Sequence, residues 1–327
     1  MPGAVKEAPS DHTSVADSDG RFRRQESSFR DWISSDANAR FPPEKDRYVL
    51  YINLGCPWAS RANAVRSLKG LQDVIQLVVM SFELTSEGWI YTGYPGTAEK
   101  DPLYGFTQHR QLYEKAAPNY KGRYTVPTLW DKKHETIVNN ESSEIIRMFY
   151  SAFDSLLPED RRETAHPGGG LLPDAKRKEI EEFNEWTYHD INNGVYKTGF
   201  ASAQDAYEEN LEKLFKALSR VEEHLGDGRR FLFGDHLTEA DIRLFPTIVR
   251  FDSAYHCMFR CNLGMIRTDF PKIHRWLRRV YWDETEETRG AFRETTNFDH
   301  IKRGYAKASK SPVVAKGPVP DILPLDA

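Results

Sequence analysis

Cysteine is scarce in this chain: three in 327 residues, at positions 56, 257 and 261. That is too few for a disulfide framework, and it fits a reducing compartment. Long apolar runs are also missing. No stretch approaches the roughly 20 residues that a membrane-spanning helix needs. Charge of one sign is not in excess either. A net charge of −4 and a pI near 6.2 provide no general attraction for nucleic acid or anionic membrane. The first residues carry neither an apolar signal core nor an Arg-rich transit pattern. The final Pro-Leu-Asp-Ala matches no retention or peroxisomal address. These absences lead to the expectation of a soluble cytoplasmic protein. Cys257, Cys261 and His256 are three soft ligands without a fourth at conventional spacing, so no metal is expected. Internal repeats are absent.

The organisation that remains falls into four parts. Residues 1–46 are rich in Asp, Ser, Arg and Glu, with Phe22, Phe29, Trp32 and Ile33 as the only anchors. They read as an extension laid on the surface, disordered before about Gly20. Residues 47–157 alternate strand and helix: a strand over 48–52, a helix over 57–68, and a doubly covered strand over 74–79. The stretch 81–121 has Gly, Pro and aromatics but little periodicity, too long for an ordinary connection. Its aromatics, Trp89, Tyr91, Tyr94, Tyr104 and Phe106, predict a packed, site-lining role. A proline-entered strand near 127–130, a return strand at 136–138 and a helix from 141 or 142 to about 153 complete a β-α-β, long loop, β-β-α order. That is the thioredoxin topology.

Residues 158–173, with Gly168-Gly-Gly170, read as a linker. Beyond it the period is helical. One helix is expected over 174–195. Tyr207, Leu211, Leu214, Leu218, Val221 and Leu225 make a helical stripe at steps of four and three. Thr238-Glu-Ala-Asp241 is a capping box opening a helix through Arg250, bent at Pro246. A further helix covers 271–282. The fold class is therefore α+β, with a thioredoxin-like domain followed by an all-α domain over 174–327.

The stretch around which this is organised is Asn53-Leu-Gly-Cys56-Pro57-Trp58-Ala59. A strand ends at Gly55 and a helix starts with Pro57 in its first turn, where a missing N–H costs nothing. Cys56 thus sits beside a helix N-terminus, whose free amides and dipole favour an anion, and a lowered thiol pKa is expected. A lone cysteine in apolar surroundings is more often a small buried hydrophobe; the strand–Gly–Cys–Pro–helix junction argues against that reading. Ala59 occupies the place of a resolving cysteine, so an oxidised Cys56 needs an outside thiol, for which glutathione is the obvious candidate.

Cys-Pro-Trp-Ala, Thr125-Val-Pro-Thr and Asn140-Glu-Ser-Ser-Glu-Ile on this topology resemble the glutathione transferase superfamily. With Gly20-Arg-Phe-Arg-Arg-Gln-Glu-Ser and Phe298-Asp-His-Ile-Lys, the chain looks like its Xi class, the glutathionyl-hydroquinone reductases, in their fungal omega-like branch. The resemblance implies a homodimer that uses glutathione as co-substrate, with no metal. It assigns the tripeptide to Trp89, Arg123, Val126, Pro127, Glu141 and Ser142. Glu141 and Ser142 at a helix start suit the γ-glutamyl group, although Ser142 as a plain cap is the alternative. Val126 would pair, strand-like, beside a cis-proline turn. Arg123 suits the glycyl carboxylate, or is a solvated surface residue. Tyr196 and Tyr305 match the tyrosines of the quinone pocket, or are half-buried core residues. Gly304 stands before Tyr305 where the family usually has His.

The implied activity is reductive removal of glutathione from glutathionyl-hydroquinones, with Cys56, Tyr196 and Tyr305 catalytic. The alternatives are an omega-like thiol transferase or dehydroascorbate reductase, and a non-catalytic binding protein.

Overall fold

A computed structural model of the chain describes residues 17 and 19–326. Of the residues before Gly20, where disorder is expected, 1–16 and 18 lie outside the described residues, and the described Asp17 and Asp19 each pair with Arg23. The first half contains β1 (Tyr48–Asn53), α1 (Pro57–Leu68), β2 (Ile75–Met80), β3 (Leu84–Thr85), β4 (Gly88–Trp89), α2 (His109–Ala116), β5 (Thr128–Asp131), β6 (Thr136–Asn139) and α3 (Ser142–Ser151). Its main sheet has the order β2-β1-β5-β6. β1 and β2 are parallel across the α1 connection, and the β5 and β6 pairings are antiparallel.

β2 is an edge strand, not the doubly covered internal one that its apolar run suggests. The long loop explains its apolarity by lying along it: the Ala98 amide donates to the Val79 carbonyl at 2.9 Å. The opposite edge, β6, is covered by the N-terminal extension. The Asp31 amide donates to Val138 O at 3.0 Å, and Arg30 bridges Asn139. Both exposed ladders are thus closed within the chain, as edge strands require. Phe22 and Ile33 are buried anchors of this extension, whereas Trp32 is 45% exposed and anchors nothing.

The loop over 81–121 is more ordered than its sequence suggests. It holds the β3–β4 hairpin and α2, whose start is closed by a Gln108/Gln111 capping box. Only Trp89 of its five aromatics reaches the cleft beside Cys56. Tyr94 instead donates to Asp299 Oδ2 at 2.6 Å, and Tyr104 accepts from Trp130 Nε1 at 3.2 Å. These contacts pin the loop to the sheet and to the last helix.

The second half is helical: α4 (Arg177–Thr187), α5 (Gly194–Gly199), α6 (Gln204–His224), α7 (Glu239–Arg250), α8 (His256–Met258), α9 (Ile266–Asp269), α10 (Pro271–Trp282), α11 (Ala291–Glu294) and α12 (Phe298–Ala308). The single helix expected over 174–195 is α4 and α5 joined by a π-helical turn at Tyr188–Asn192. A second π turn, Phe251–Tyr255, succeeds α7. Each inserts an extra residue into the winding and redirects the next segment of chain. The sequence pattern predicted no helix over 298–308. There Asn297 caps α12, accepting from the His300 amide at 3.0 Å. No helix among the described residues is long and apolar enough to cross a membrane.

The capping box at α7 does more than start a helix. Fully buried Asp241 accepts from Thr238 N and Oγ1 at 3.0 Å each, Leu232 N at 2.8 Å and Trp276 Nε1 at 2.9 Å. One carboxylate therefore fixes α7 against the preceding loop and α10. Replacing it strands four buried donors. Asp241→Ala is expected to lower unfolding stability by about 3 kcal/mol or more, measured by urea denaturation. A loss below about 1 kcal/mol would refute this role.

Candidate active site

The β1–α1 elbow carries Cys56 as the residue preceding the first helical turn. Gly55 suits a close approach here. A Cβ on it would lie 3.0 Å from Asn53 Oδ1 and 3.2 Å from the His300 carbonyl, so the elbow packs against the start of α12. From the other side, buried Arg250 at the end of α7 donates Nε to Gly55 O at 3.1 Å and Nη2 to Leu54 O at 3.2 Å. Its Nη1 donates back to Pro246 O at 2.8 Å, an α7 carbonyl. The thiol is therefore held by residues from both halves of the chain.

Cys56 faces a cleft of about 190 Å³ that Trp89, Arg123, Val126, Tyr196 and Tyr305 also line. The Cys56 thiol donates to Val126 O at 3.6 Å, and the Val126–Pro127 peptide is cis. Pro127 itself does not line the cleft. Glu141 and Ser142 do not line it either. Glu141 caps α3, accepting from Ser143 N at 3.0 Å and Ser143 Oγ at 2.9 Å, and its other oxygen accepts from Ser27 Oγ at 3.0 Å. Burial pushes its carboxyl up, but the Ser143 and Ser27 bonds and Arg61 bring it net below the ordinary range. Ser142 is buried as the first residue of α3. A second recess, of about 40 Å³, shares Arg123 and Thr125 with the main cleft and is also walled by Asn140 and by Ser27, the residue that bonds Glu141.

The structure brings in residues that sequence reasoning missed. Arg24, from the N-terminal extension, lies 4.4 Å from the Trp58 ring centroid and 5.0 Å from that of Tyr196, with Nε donating to Asn193 Oδ1 at 2.7 Å. It lines both the cleft and the recess. Its neighbour Phe22 does the same. Both residues fall in the Gly20-Arg-Phe-Arg-Arg-Gln-Glu-Ser stretch that carries the class resemblance, but that stretch reads as a surface extension and gives neither of them a place in the site. Tyr255 was also missed. Its hydroxyl meets that of Tyr305 at 2.9 Å, and Tyr305 meets Tyr196 at 2.6 Å, giving a chain of three phenols. Tyr255 comes from the second π turn, and Tyr196 lies just beyond the first.

Electrostatics correct one expectation. Burial pushes the Cys56 thiol up. The amides of Ala59 and Trp58, then the charges of Arg250 and Arg24, pull in the opposite direction without overcoming it. A helix N-terminus stabilises an anion by only about 1 kcal/mol, less than desolvation removes. Burial likewise pushes the Tyr196 phenol up to about 12, helped by the nearby Cys56. Burial raises Tyr305 well above its ordinary value too. Both phenols are thus proton donors near neutral pH. Burial pushes Arg123 down, and Arg24 adds to the effect. Among the described residues, no group of three or more His, Cys, Asp or Glu side chains is placed to hold a metal ion.

A thioredoxin-like sheet with one cysteine at the mouth of its first helix, followed by a helical domain that completes the cleft, is the architecture of a glutathione transferase. The family model for the glutathione S-transferase N-terminal domain matches residues 55–152, and that for the C-terminal domain matches 204–279. Among curated proteins, the chain is 45% identical to "Glutathione S-transferase omega-like 2" of Schizosaccharomyces pombe, over 95% of this chain and 97% of that one. It is 42% identical to "Glutathionyl-hydroquinone reductase YqjG" of Escherichia coli, over 93% and 90%. A glutathione-bound structure of YqjG aligns with a TM-score of 0.82 over 95% of this chain and 97% of that one. The glutathione S-transferase Xi of Phanerochaete chrysosporium aligns with a TM-score of 0.88 at 48% identity, over 96% and 99%. The chain belongs to the glutathione S-transferase family and, within it, to the enzymes of the Xi class.

The Arg250 contacts have a measurable consequence. Cys56 alkylation by iodoacetamide rises with pH as thiolate forms, with a midpoint above that of an ordinary cysteine because burial raises the thiol. Arg250→Met removes a cation that opposes this rise, so its midpoint is expected to move higher still, and Arg250→Lys to fall between. An unchanged midpoint in Arg250→Met would exclude an electrostatic role.

Proposed function

We propose that the chain reductively removes glutathione from glutathionyl-hydroquinones. The observation that carries this reading is a thiol and a hydrogen-bonded chain of protonated phenols in one cleft, with no second thiol in reach among the described residues. Cys261 is fully buried, and Cys257 lies against Gly317 O, so neither lines the cleft.

In this reading the Cys56 thiolate attacks the substrate's sulfur. The S–S bond to glutathione forms as the sulfur–ring-carbon bond breaks, and the electron pair passes to the ring carbon. Tyr196 and Tyr305 hydrogen-bond the hydroquinone oxygens and assist protonation of that carbon. A second glutathione, as thiolate, attacks the glutathione sulfur of the mixed disulfide, releasing glutathione disulfide and the Cys56 thiolate. The two-electron reduction of the carbon–sulfur bond is balanced by oxidation of two glutathione units to the disulfide. The tripeptide is held along Trp89, Arg123 and Val126, at the cis turn into Pro127, with its γ-glutamyl end toward the recess walled by Ser27 and Asn140, on the side of Glu141 and Ser142. That YqjG is named a glutathionyl-hydroquinone reductase and has a glutathione-bound structure supports the same reading.

The buried phenols distinguish this activity from simple thiol transfer, which needs the thiol alone. Cys56→Ser is expected to lower turnover of a glutathionyl-hydroquinone at least about 10³-fold. Tyr196→Phe should lower it about 10²-fold while leaving reduction of hydroxyethyl disulfide within about twofold. Equal losses on both substrates in Tyr196→Phe would favour a general thiol transferase. Retained turnover in Cys56→Ser would overturn the cysteine mechanism.

A further inference from the structure

The Thr125-Val-Pro-Thr128 turn presents Thr125 and Val126 to the main cleft, and Thr125 also walls the recess. From behind, the turn is bound by α2. The Thr125 carbonyl accepts from the Tyr113 hydroxyl at 2.9 Å and from Thr128 Oγ1 at 2.8 Å. The Tyr113 hydroxyl itself accepts from Asn140 Nδ2 at 3.1 Å, and the same amide donates to Thr125 Oγ1 at 3.2 Å. Thr128 uses its proton on the Thr125 carbonyl, so toward His109 Nε2, 2.9 Å away, it accepts. His109 is neutral, since burial pushes its imidazole down to about 3. Tyr113 is fully buried, and its ring is held against Phe29, His109 and Tyr124 at centroid distances of 5.8, 5.3 and 5.6 Å. The hydroxyl is therefore fixed in place. Neither Tyr113 nor His109 lines the cleft or the recess.

We infer that Tyr113 is a positioning residue for glutathione: through the Thr125 carbonyl and Asn140 it fixes the Val126 peptide along which the tripeptide pairs, without touching the tripeptide. Strand-like pairing takes its affinity from main-chain hydrogen bonds, so the peptide that offers them must hold its place. The same peptide faces the reactive sulfur, because the Cys56 thiol donates to Val126 O at 3.6 Å. A turn that shifts moves the bound tripeptide's sulfur relative to Cys56, and a displacement of about 1 Å costs on the order of 10²-fold in rate. Asn140 extends the same support to the recess, which it walls beside Thr125. The inference rests on the assignment of glutathione to Val126 made above and adds the group that keeps that contact in register.

The test follows attack by the Cys56 thiolate on two disulfides, read by mass spectrometry as the adduct on Cys56. In each case the reagent's S–S bond breaks as the bond to Cys56 forms, and a thiolate leaves. Glutathione disulfide can pair with the turn, whereas hydroxyethyl disulfide carries no peptide. The wild-type protein is expected to react faster with glutathione disulfide. In Tyr113→Phe the ratio of the two second-order rate constants should fall about fivefold or more. Tyr104→Phe removes another hydroxyl contact of the same loop, to Trp130, and should leave the ratio within about twofold. No preference in the wild-type protein, an unchanged ratio in Tyr113→Phe, or an equal fall in Tyr104→Phe overturns the inference. Should Tyr113→Phe fail to fold, Thr128→Val removes the other donor to the Thr125 carbonyl and carries the same comparison. No hydroquinone enters the ratio, so the hydroquinone reading can fail while this inference stands. If Cys56 reacts with neither disulfide, the cysteine mechanism fails by itself, and titration with S-methylglutathione decides: binding about fivefold weaker in Tyr113→Phe supports the positioning role, and unchanged binding overturns it.

Discussion

The guanidinium of Arg250 is the contact on which the arrangement of the site depends. It is fully buried, and its three nitrogens donate to the carbonyls of Leu54, Gly55 and Pro246. No carboxylate pairs with it among the described residues. A buried cation satisfied only by carbonyls is expensive unless those carbonyls stay in place, so the β1–α1 elbow and the end of α7 hold each other rigid. A second arginine repeats the device. Arg61 of α1, also buried, donates to Asn192 Oδ1 at 2.8 Å and to the Arg243 carbonyl at 2.9 Å. The helical half therefore sets the position of the thiol as well as covering it.

The two π turns belong to the same construction. The first presents Asn192 to Arg61 and Asn193 to Arg24, with Tyr196 a turn further on. The second begins directly after Arg250 and ends at Tyr255. A regular helix repeats a face every three or four residues. It cannot point an arginine at the elbow and a tyrosine five residues later at the cleft-lining Tyr305 without an inserted residue. The widened turns reconcile the two demands, which accounts for their place beside the site.

Local patterns in the sequence revealed the architecture. The Pro57 helix start, the 127–130 strand entry and the Thr238 capping box each state their structure within a few residues, and α1, β5 and α7 bear them out. Structure that local pattern does not encode was missed. α2 has only a short apolar face and a Gln–Gln box, and the apolar run of β2 does not distinguish cover by a loop from cover by helices. Arg24 and Tyr255 join the site through contacts 169 and 50 residues distant, which no spacing rule reaches. The sign of the Cys56 shift was lost for a related reason: the helix terminus is local and legible, whereas the desolvation that outweighs it is supplied by segments from across the chain.

That desolvation organises the chemistry. Cys56 and Tyr196 each raise the cost of charging the other, as the effect of Cys56 on the Tyr196 phenol records, so the cleft tolerates one anion at a time. The thiol has the lower ordinary pKa, and the amides of Trp58 and Ala59 favour its anion; the phenols stay protonated. The three hydroxyls form one cluster: Tyr305 bonds both Tyr196 and Tyr255, and Tyr196 and Tyr255 also interact with each other. Either partner of the Tyr196–Tyr305 and Tyr255–Tyr305 bonds can donate, so a proton given up by one phenol is replaced by a bond from its neighbours. Burial, which keeps all three protonated, thus stores the protons of the site in a cluster whose cleft-lining members are Tyr196 and Tyr305.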